Sequence, residues 1–287
     1  MHVSAAGSTR IQPDGIDMTD KRRVQSILDQ GNALLESGNW EAAAECFRDA
    51  IRSGQNAGVL YGGLGDALAE GGELDAAVDA YTAALQLDPE DVEWRFALGD
   101  LLFEKGQDQE ALECYQKLSS HPDGAGEALA RMGMVYAARE DYRRALGMLE
   151  EARGADPVSI FVLTGLGEVY RALGLADKAL AVLEEAHRLD PEDPHVMLDL
   201  GDLHCEMGHE DAAEKLYRRA LEIEEELPGL HLAMGNLMLG REQTRKALGH
   251  YRRFLELEKS PDSGDLLKEV AAVVEGLEAE SGKGGKK

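Results

Sequence analysis

Residues 160–193 read IFVLTGLGEVYRALGLADKALAVLEEAHRLDPED. Leu166, Gly167 and Tyr170 fall on one face of a helix, because residues three and four apart are neighbours on a 3.6-residue turn. Gly174 suits the left-handed residue that closes such a helix. Ala179, Leu183 and Ala186 keep the i, i+4, i+7 spacing of a second helix, which Asp190-Pro191 ends because Pro blocks further helix. The stretch is a helix–turn–helix, and it recurs. Gly31, Gly65, Gly99, Gly133, Gly167, Gly201 and Gly235 stand 34 residues apart with no insertion or deletion. A period of that length predicts one elongated array of two-helix units, each burying its apolar face on its neighbours.

With the series Gly as the eighth position, the repeats begin at Val24, Gly58, Val92, Gly126, Ile160, Pro194 and Pro228. The seventh position is Leu or Met except for Gln30, and the eleventh is Leu34, Leu68, Leu102, Tyr136, Tyr170, His204 or Met238. A second Gly follows at Gly38, Gly72, Gly106, Gly174 and Gly208. Ala43, Ala77, Ala111, Ala145, Ala179, Ala213 and Ala247 occupy the twentieth position without exception. Phe47, Tyr81, Tyr115, Leu149, Leu183, Tyr217 and Tyr251 stand at the twenty-fourth.

These columns resemble the tetratricopeptide repeat family over residues 24 to about 261. That pattern has small residues at 8, 20 and 27, large apolar ones at 7, 11 and 24, and Pro at 32. The resemblance implies an all-α fold, an α-α superhelix built as a solenoid of antiparallel helix pairs. The expected organisation is a disordered segment over 1–23, seven repeats over 24–261, a capping helix over 262–280 and a disordered basic tail over 281–287. Gln30 makes the first repeat more polar, as suits a terminal cap. Leu118 and Phe254 replace the third small residue. The turn-rich stretch from Ser119 to Gly126 points either to a joint between repeats three and four or to a shortened second helix.

Composition narrows the function. Fifty-five acidic residues against thirty basic ones give a net charge of −25. Nucleic acid and anionic membranes are bound chiefly through Lys and Arg, so neither is an expected partner. Basic proteins are. Three cysteines make no disulfide framework, since Cys46 and Cys114 repeat one position in non-adjacent repeats. Residues 1–23 contain no apolar h-region, Met18 is an alternative start, and no apolar run reaches membrane-spanning length. The expected location is the cytoplasm.

The sequence carries no phosphate loop, no His-Glu-x-x-His and no Ser-centred elbow, so an enzyme is not expected and no cofactor is implied. His204, Cys205 and His209 could ligate a metal, but His204 fills a packing slot and His209 a turn. They should therefore point apart, and no metal site is expected. Seven of the nine methionines lie between Met132 and Met238, where they read as gap fillers.

The resemblance implies an inner groove formed by positions 2, 5, 6, 9, 12 and 13 of each repeat. Those 42 positions hold 12 acidic residues and 2 basic ones, Arg131 and Arg171. The candidate binding residues are Asn32, Glu36, Asp66, Glu70, Glu93, Asp100, Glu104, Glu168, Asp199, Asp202 and Glu206, with Phe96, Phe103 and Phe161 as aromatic anchors. Asp66, Asp100 and Asp202 lead for attraction, and Phe96 with Phe103 for anchoring. Like charges about 10 Å apart repel by about 0.4 kcal/mol in water, which a cationic ligand would relieve. A merely solvated acidic face is the alternative. Gly62 and Gly63 either leave room in the groove or serve no purpose there.

Family members that clamp the C-terminal carboxylate of heat-shock chaperones use Lys at 5 and Asn at 9, then Asn at 6, then Lys at 2 and Arg at 6. Here Leu28 and Asn32, Gly63, and Glu93 and Ala97 stand at those places, and only Asn32 matches. One repeat later Arg131 matches, but Glu127 stands where Lys is required. The expected function is a non-catalytic adaptor whose acidic groove takes a Lys/Arg-rich or amphipathic segment of another protein. Self-association, with a terminal segment docked in a neighbouring groove, is the alternative.

Overall fold

The computed structural model describes residues 18–122, 124–260 and 263–284, which form fifteen α-helices and no strand. The first helices of the seven pairs are α1 (Met18–Glu36), α3 (Gly58–Glu70), α5 (Val92–Glu104), α7 (Ala125–Ala138), α9 (Ile160–Ala172), α11 (Pro194–Glu206) and α13 (Pro228–Gly240). Their second helices are α2 (Trp40–Arg52), α4 (Leu74–Leu87), α6 (Asp108–Leu118), α8 (Tyr142–Ala155), α10 (Ala176–Leu189), α12 (Glu210–Ile223) and α14 (Thr244–Leu257). A last helix, α15 (Gly264–Gly284), packs on α14 through the buried Val270 and Val274. The chain divides into two compact bodies, one ending at Val135 and one beginning at Tyr136, so the division falls inside α7.

Six of the pairs close through the same kind of contact. A Cβ on Gly65, Gly99, Gly201 or Gly235 would lie 2.4–2.7 Å from the ring of Tyr81, Tyr115, Tyr217 or Tyr251, sixteen residues on. On Gly31 it would meet Phe47 at 2.1 Å, and on Gly167 it would meet Leu183 at 2.7 Å. The missing side chain is what lets the two helices of a pair approach. The Ala at position 20 is fully buried in every repeat.

The turns follow from backbone chemistry. Gly38, Gly72, Gly106, Gly174 and Gly208 have φ of +70° to +78°. Glu140 and Glu242 stand at the same position in repeats four and seven and adopt φ +59°. Seven equivalent joints thus hold their shape even where a side chain strains two of them by about 1 kcal/mol. Asp91, Ser159 and Asp193 cap the following helices by accepting from Trp94, Val162, and both His195 and Val196 backbone N–H groups.

Three expectations change. Residues 18–23, expected to be disordered, begin α1, while 1–17 lie outside the described residues. The last helix runs to Gly284, past the expected end at 280, and of the expected tail only 285–287 lie outside the described residues. The departure at Leu118 is a shortened second helix: α6 has 11 residues against 14 in α4, and Leu118 is buried at its end. Among the described residues no helix is long and apolar enough to cross a membrane. Cys46, Cys114 and Cys205 are free thiols, with Cys114 buried and the other two half-buried.

Candidate binding face

In the N-terminal body, α3 and α5 present Asp66 and Asp100 side by side with the tyrosines of their own pairs. Tyr81 donates its hydroxyl to Asp66 Oδ1 at 2.6 Å, and Tyr115 donates to Asp100 Oδ1 at 2.7 Å. Burial and the adjacent carboxylate push both phenols well above their ordinary range, so they remain donors. Crowding by the surrounding helices raises the Asp66 carboxyl, the Tyr81 bond pulls it back, and the Glu93 and Glu70 charges push it up again.

Asp100 also receives Arg131 of α7, which donates to Glu127 at 2.6 Å as well. The guanidinium lies over the Phe96 ring, 4.8 Å from its centroid. Phe96 is therefore 7 % exposed, packed beneath Arg131 and beside Tyr115. It is not the open anchor its position suggested. Phe103 is half-buried, and Asn32, Glu36, Glu70, Glu93 and Glu104 are exposed.

Neither reading of Gly62 and Gly63 holds. A Cβ on Gly62 would lie 2.2 Å from Trp94 Nε1, and one on Gly63 would lie 2.6 Å from the Phe47 ring. The space is filled by two aromatic rings rather than left open.

In the C-terminal body, Tyr217 of α12 donates to Asp202 Oδ1 at 2.6 Å, and Tyr251 of α14 donates to Asn236 Oδ1 at 2.8 Å. Arg171 of α9 pairs with Glu206 of α11 at 2.8 Å beside a cleft of about 350 Å³ that also meets Asp202, Tyr217 and Asn236. Glu168 and Glu206 are exposed, and Phe161 is 47 % exposed.

Burial pushes the Asp199 carboxyl up to about 6, with Asp202 and Glu168 adding to it and Arg171 opposing. A carboxyl raised in the fold favours its protonated form. Its contribution to stability is full below 3.8 and is withdrawn as pH rises through about 6. Asp199→Asn is thus expected to stabilise the protein by about 1 kcal/mol at pH 7.5, after discounting for solvent, and to change nothing at pH 4. Thermal unfolding at both pH values checks this, and an equal gain at both would rule it out.

Sequence reasoning missed the tyrosine–aspartate bond, although its signal is present. Repeats with Tyr at position 24 carry Asp66, Asp100, Asp202 or Asn236 at position 9. Those with Phe47, Leu149 or Leu183 carry Asn32, Met134 or Glu168. It also misjudged His204 and His209, whose rings stand 5.7 Å apart at centroid rather than pointing away from each other. Among the described residues no group of three or more His, Cys, Asp or Glu is placed to hold a metal.

Profiles of the tetratricopeptide repeat match residues 28–91, 63–125, 119–192 and 159–226. The chain belongs to the tetratricopeptide repeat family, whose members are in general protein-interaction scaffolds rather than catalysts. Among solved structures it is similar to a tetratricopeptide repeat protein from Parabacteroides merdae, with TM-score 0.74 and 18 % identity over 87 % of this chain and 98 % of that one. It is similar to a chain of the APC/C hetero-tetramer Cut9-Hcn1, with TM-score 0.67 and 16 % identity over 84 % of this chain and 48 % of that one. The human IFIT1 dimer with m7Gppp-AAAA gives TM-score 0.67 and 18 % identity over 89 % of this chain and 64 % of that one. The chain thus spans about half of the Cut9-Hcn1 chain and just under two thirds of the IFIT1 chain. The comparison with curated proteins gives no match.

Proposed function

We propose that this protein is an adaptor whose first-helix face binds a basic or amphipathic segment of a partner protein. The observation that supports it is the run of exposed carboxylates on α1, α3 and α5: Glu36, Glu70, Glu93 and Glu104. No cation is paired with any of these four among the ion pairs of the described residues. Attraction by such a surface raises the association rate, and apolar anchors then supply most of the affinity. Phe161 is an exposed anchor in the C-terminal body, with Val158, three residues earlier, at 63 % exposure.

The Tyr–Asp bonds decide how to test this. Asp→Ala at position 9 would orphan a buried phenol, whereas Asn236 shows that Asn accepts the same bond. The triple variant Asp66→Asn, Asp100→Asn, Asp202→Asn removes three charges and keeps the three tyrosine hydrogen bonds, giving up the Asp100–Arg131 ion pair. Partner capture at low and raised salt is expected to retain a discrete protein on wild type, to lose it with salt, and to lose most of it in the variant. Equal capture by both proteins would exclude the acidic face.

A further inference from the structure

Arg131 is the sixth residue of repeat four. It is held by Asp100, the ninth residue of repeat three, and by Glu127, the second residue of repeat four, over the ring of Phe96. One repeat earlier in the same body, the equivalents of Asp100, Glu127 and Arg131 are Asp66, Glu93 and Ala97. Phe96 becomes Gly62, yet a ring is still present: a Cβ on Gly62 would meet the Trp94 indole at 2.2–2.9 Å. Tyr81 fixes Asp66 at 2.6 Å just as Tyr115 fixes Asp100 at 2.7 Å. Glu93 is near enough to act on the Asp66 carboxyl, and Glu70 adds to it. Two carboxylates thus hold the repeat positions they hold around Arg131, an aromatic ring fills the space over Gly62, and the residue equivalent to Arg131 carries only a methyl group.

We infer that Asp66, Glu93 and Trp94 form a receptor for an arginine side chain of the partner, which takes the place that Arg131 takes one repeat on. This rests on the binding face proposed above and names the residue that face reads. A planar guanidinium can bridge two carboxylates and lie on a ring at once, whereas a lysine ammonium is a point charge without that fork. No other repeat pair offers the frame. Asp202 is followed by Gly229 and Ala233, Glu168 by His195 and Asp199, and Asn32 by Val59 and Gly63.

The test is calorimetric titration of the full chain with the peptides (Gly-Arg)4 and (Gly-Lys)4 at about 150 mM salt, where attraction beyond roughly 8 Å is screened. The arginine peptide is expected to bind at least about fivefold more tightly. Ala97→Arg should fill the receptor in cis and weaken arginine-peptide binding about tenfold, and Glu93→Gln should do likewise. Ala181→Arg adds the same charge on an exposed second-helix position of the other body, away from the first-helix face, and should leave binding unchanged. Circular dichroism checks that each variant is folded.

Equal effects of Ala97→Arg and Ala181→Arg, equal binding of the two peptides, or no binding to wild type would overturn the receptor. If the receptor fails while the triple Asp→Asn variant still loses its partner, the acidic face stands without it. If that variant also keeps its partner, both readings fall.

Discussion

Gly99→Ala is expected to destabilise the protein by about 2 kcal/mol, within the range seen when a close-packed site is overfilled. The added Cβ would lie 2.5 Å from the Tyr115 ring. That ring cannot swing away freely, because its hydroxyl is bonded to Asp100 and the side chain is 1 % exposed. The sign is what makes the experiment decisive. Ala favours a helix interior over Gly by about 0.8–1.0 kcal/mol, so propensity alone predicts a gain. Gly147, inside α8, is exposed and has nothing within 4 Å of its would-be Cβ. Gly147→Ala should therefore stabilise by about that amount. Urea unfolding of the two variants beside wild type reads both signs. If the two substitutions shift stability alike, helix approach is not what the 34-residue glycine serves.

Phe47→Ala should be costlier still, at about 3–5 kcal/mol, since it empties a fully buried aromatic site. The Phe47 ring fills the space above Gly31 of its own repeat and Gly63 of the next. Its loss unseats the contact between α2 and α3 as well as that within the first pair. In a nearest-neighbour stack the damage stays local, so hydrogen exchange should show protection lost in α1 and α2 and kept in α11 to α14. Gly63→Ala adds a second arm. It should destabilise wild type, where the ring is 2.6 Å away, but stabilise Phe47→Ala, where only helix propensity remains. Two independent, additive effects would sink this account of Gly63.

Most of the fold was legible because its signals are local and repeated seven times. The series glycine, the Ala at position 20 and the left-handed Gly after the first helix each follow from sterics within one repeat. The end of the first helix was readable even at Glu140 and Glu242, because five other repeats set the register. The candidate site was less legible because exposure depends on which neighbour covers a residue. Phe96 looked open by position, yet Arg131, 35 residues away, lies across it. Gly62 looked like a gap, yet Trp94, 32 residues on, fills it. Asp66, Asp100 and Asp202 looked like free charges, yet each accepts from a tyrosine 15 residues later in its own repeat.

That last bond has a bearing on how such a chain can change length. Tyr81–Asp66, Tyr115–Asp100, Tyr217–Asp202 and Tyr251–Asn236 are all made inside a single 34-residue block. A duplication that copies one block carries the buried phenol and its acceptor together, and a deletion removes both. Neither event strands a polar group in the interior, where it would be costly. Descent by whole-block copying is therefore tolerated chemically in this protein, and the unbroken spacing from Gly31 to Gly235 is the trace such a history would leave.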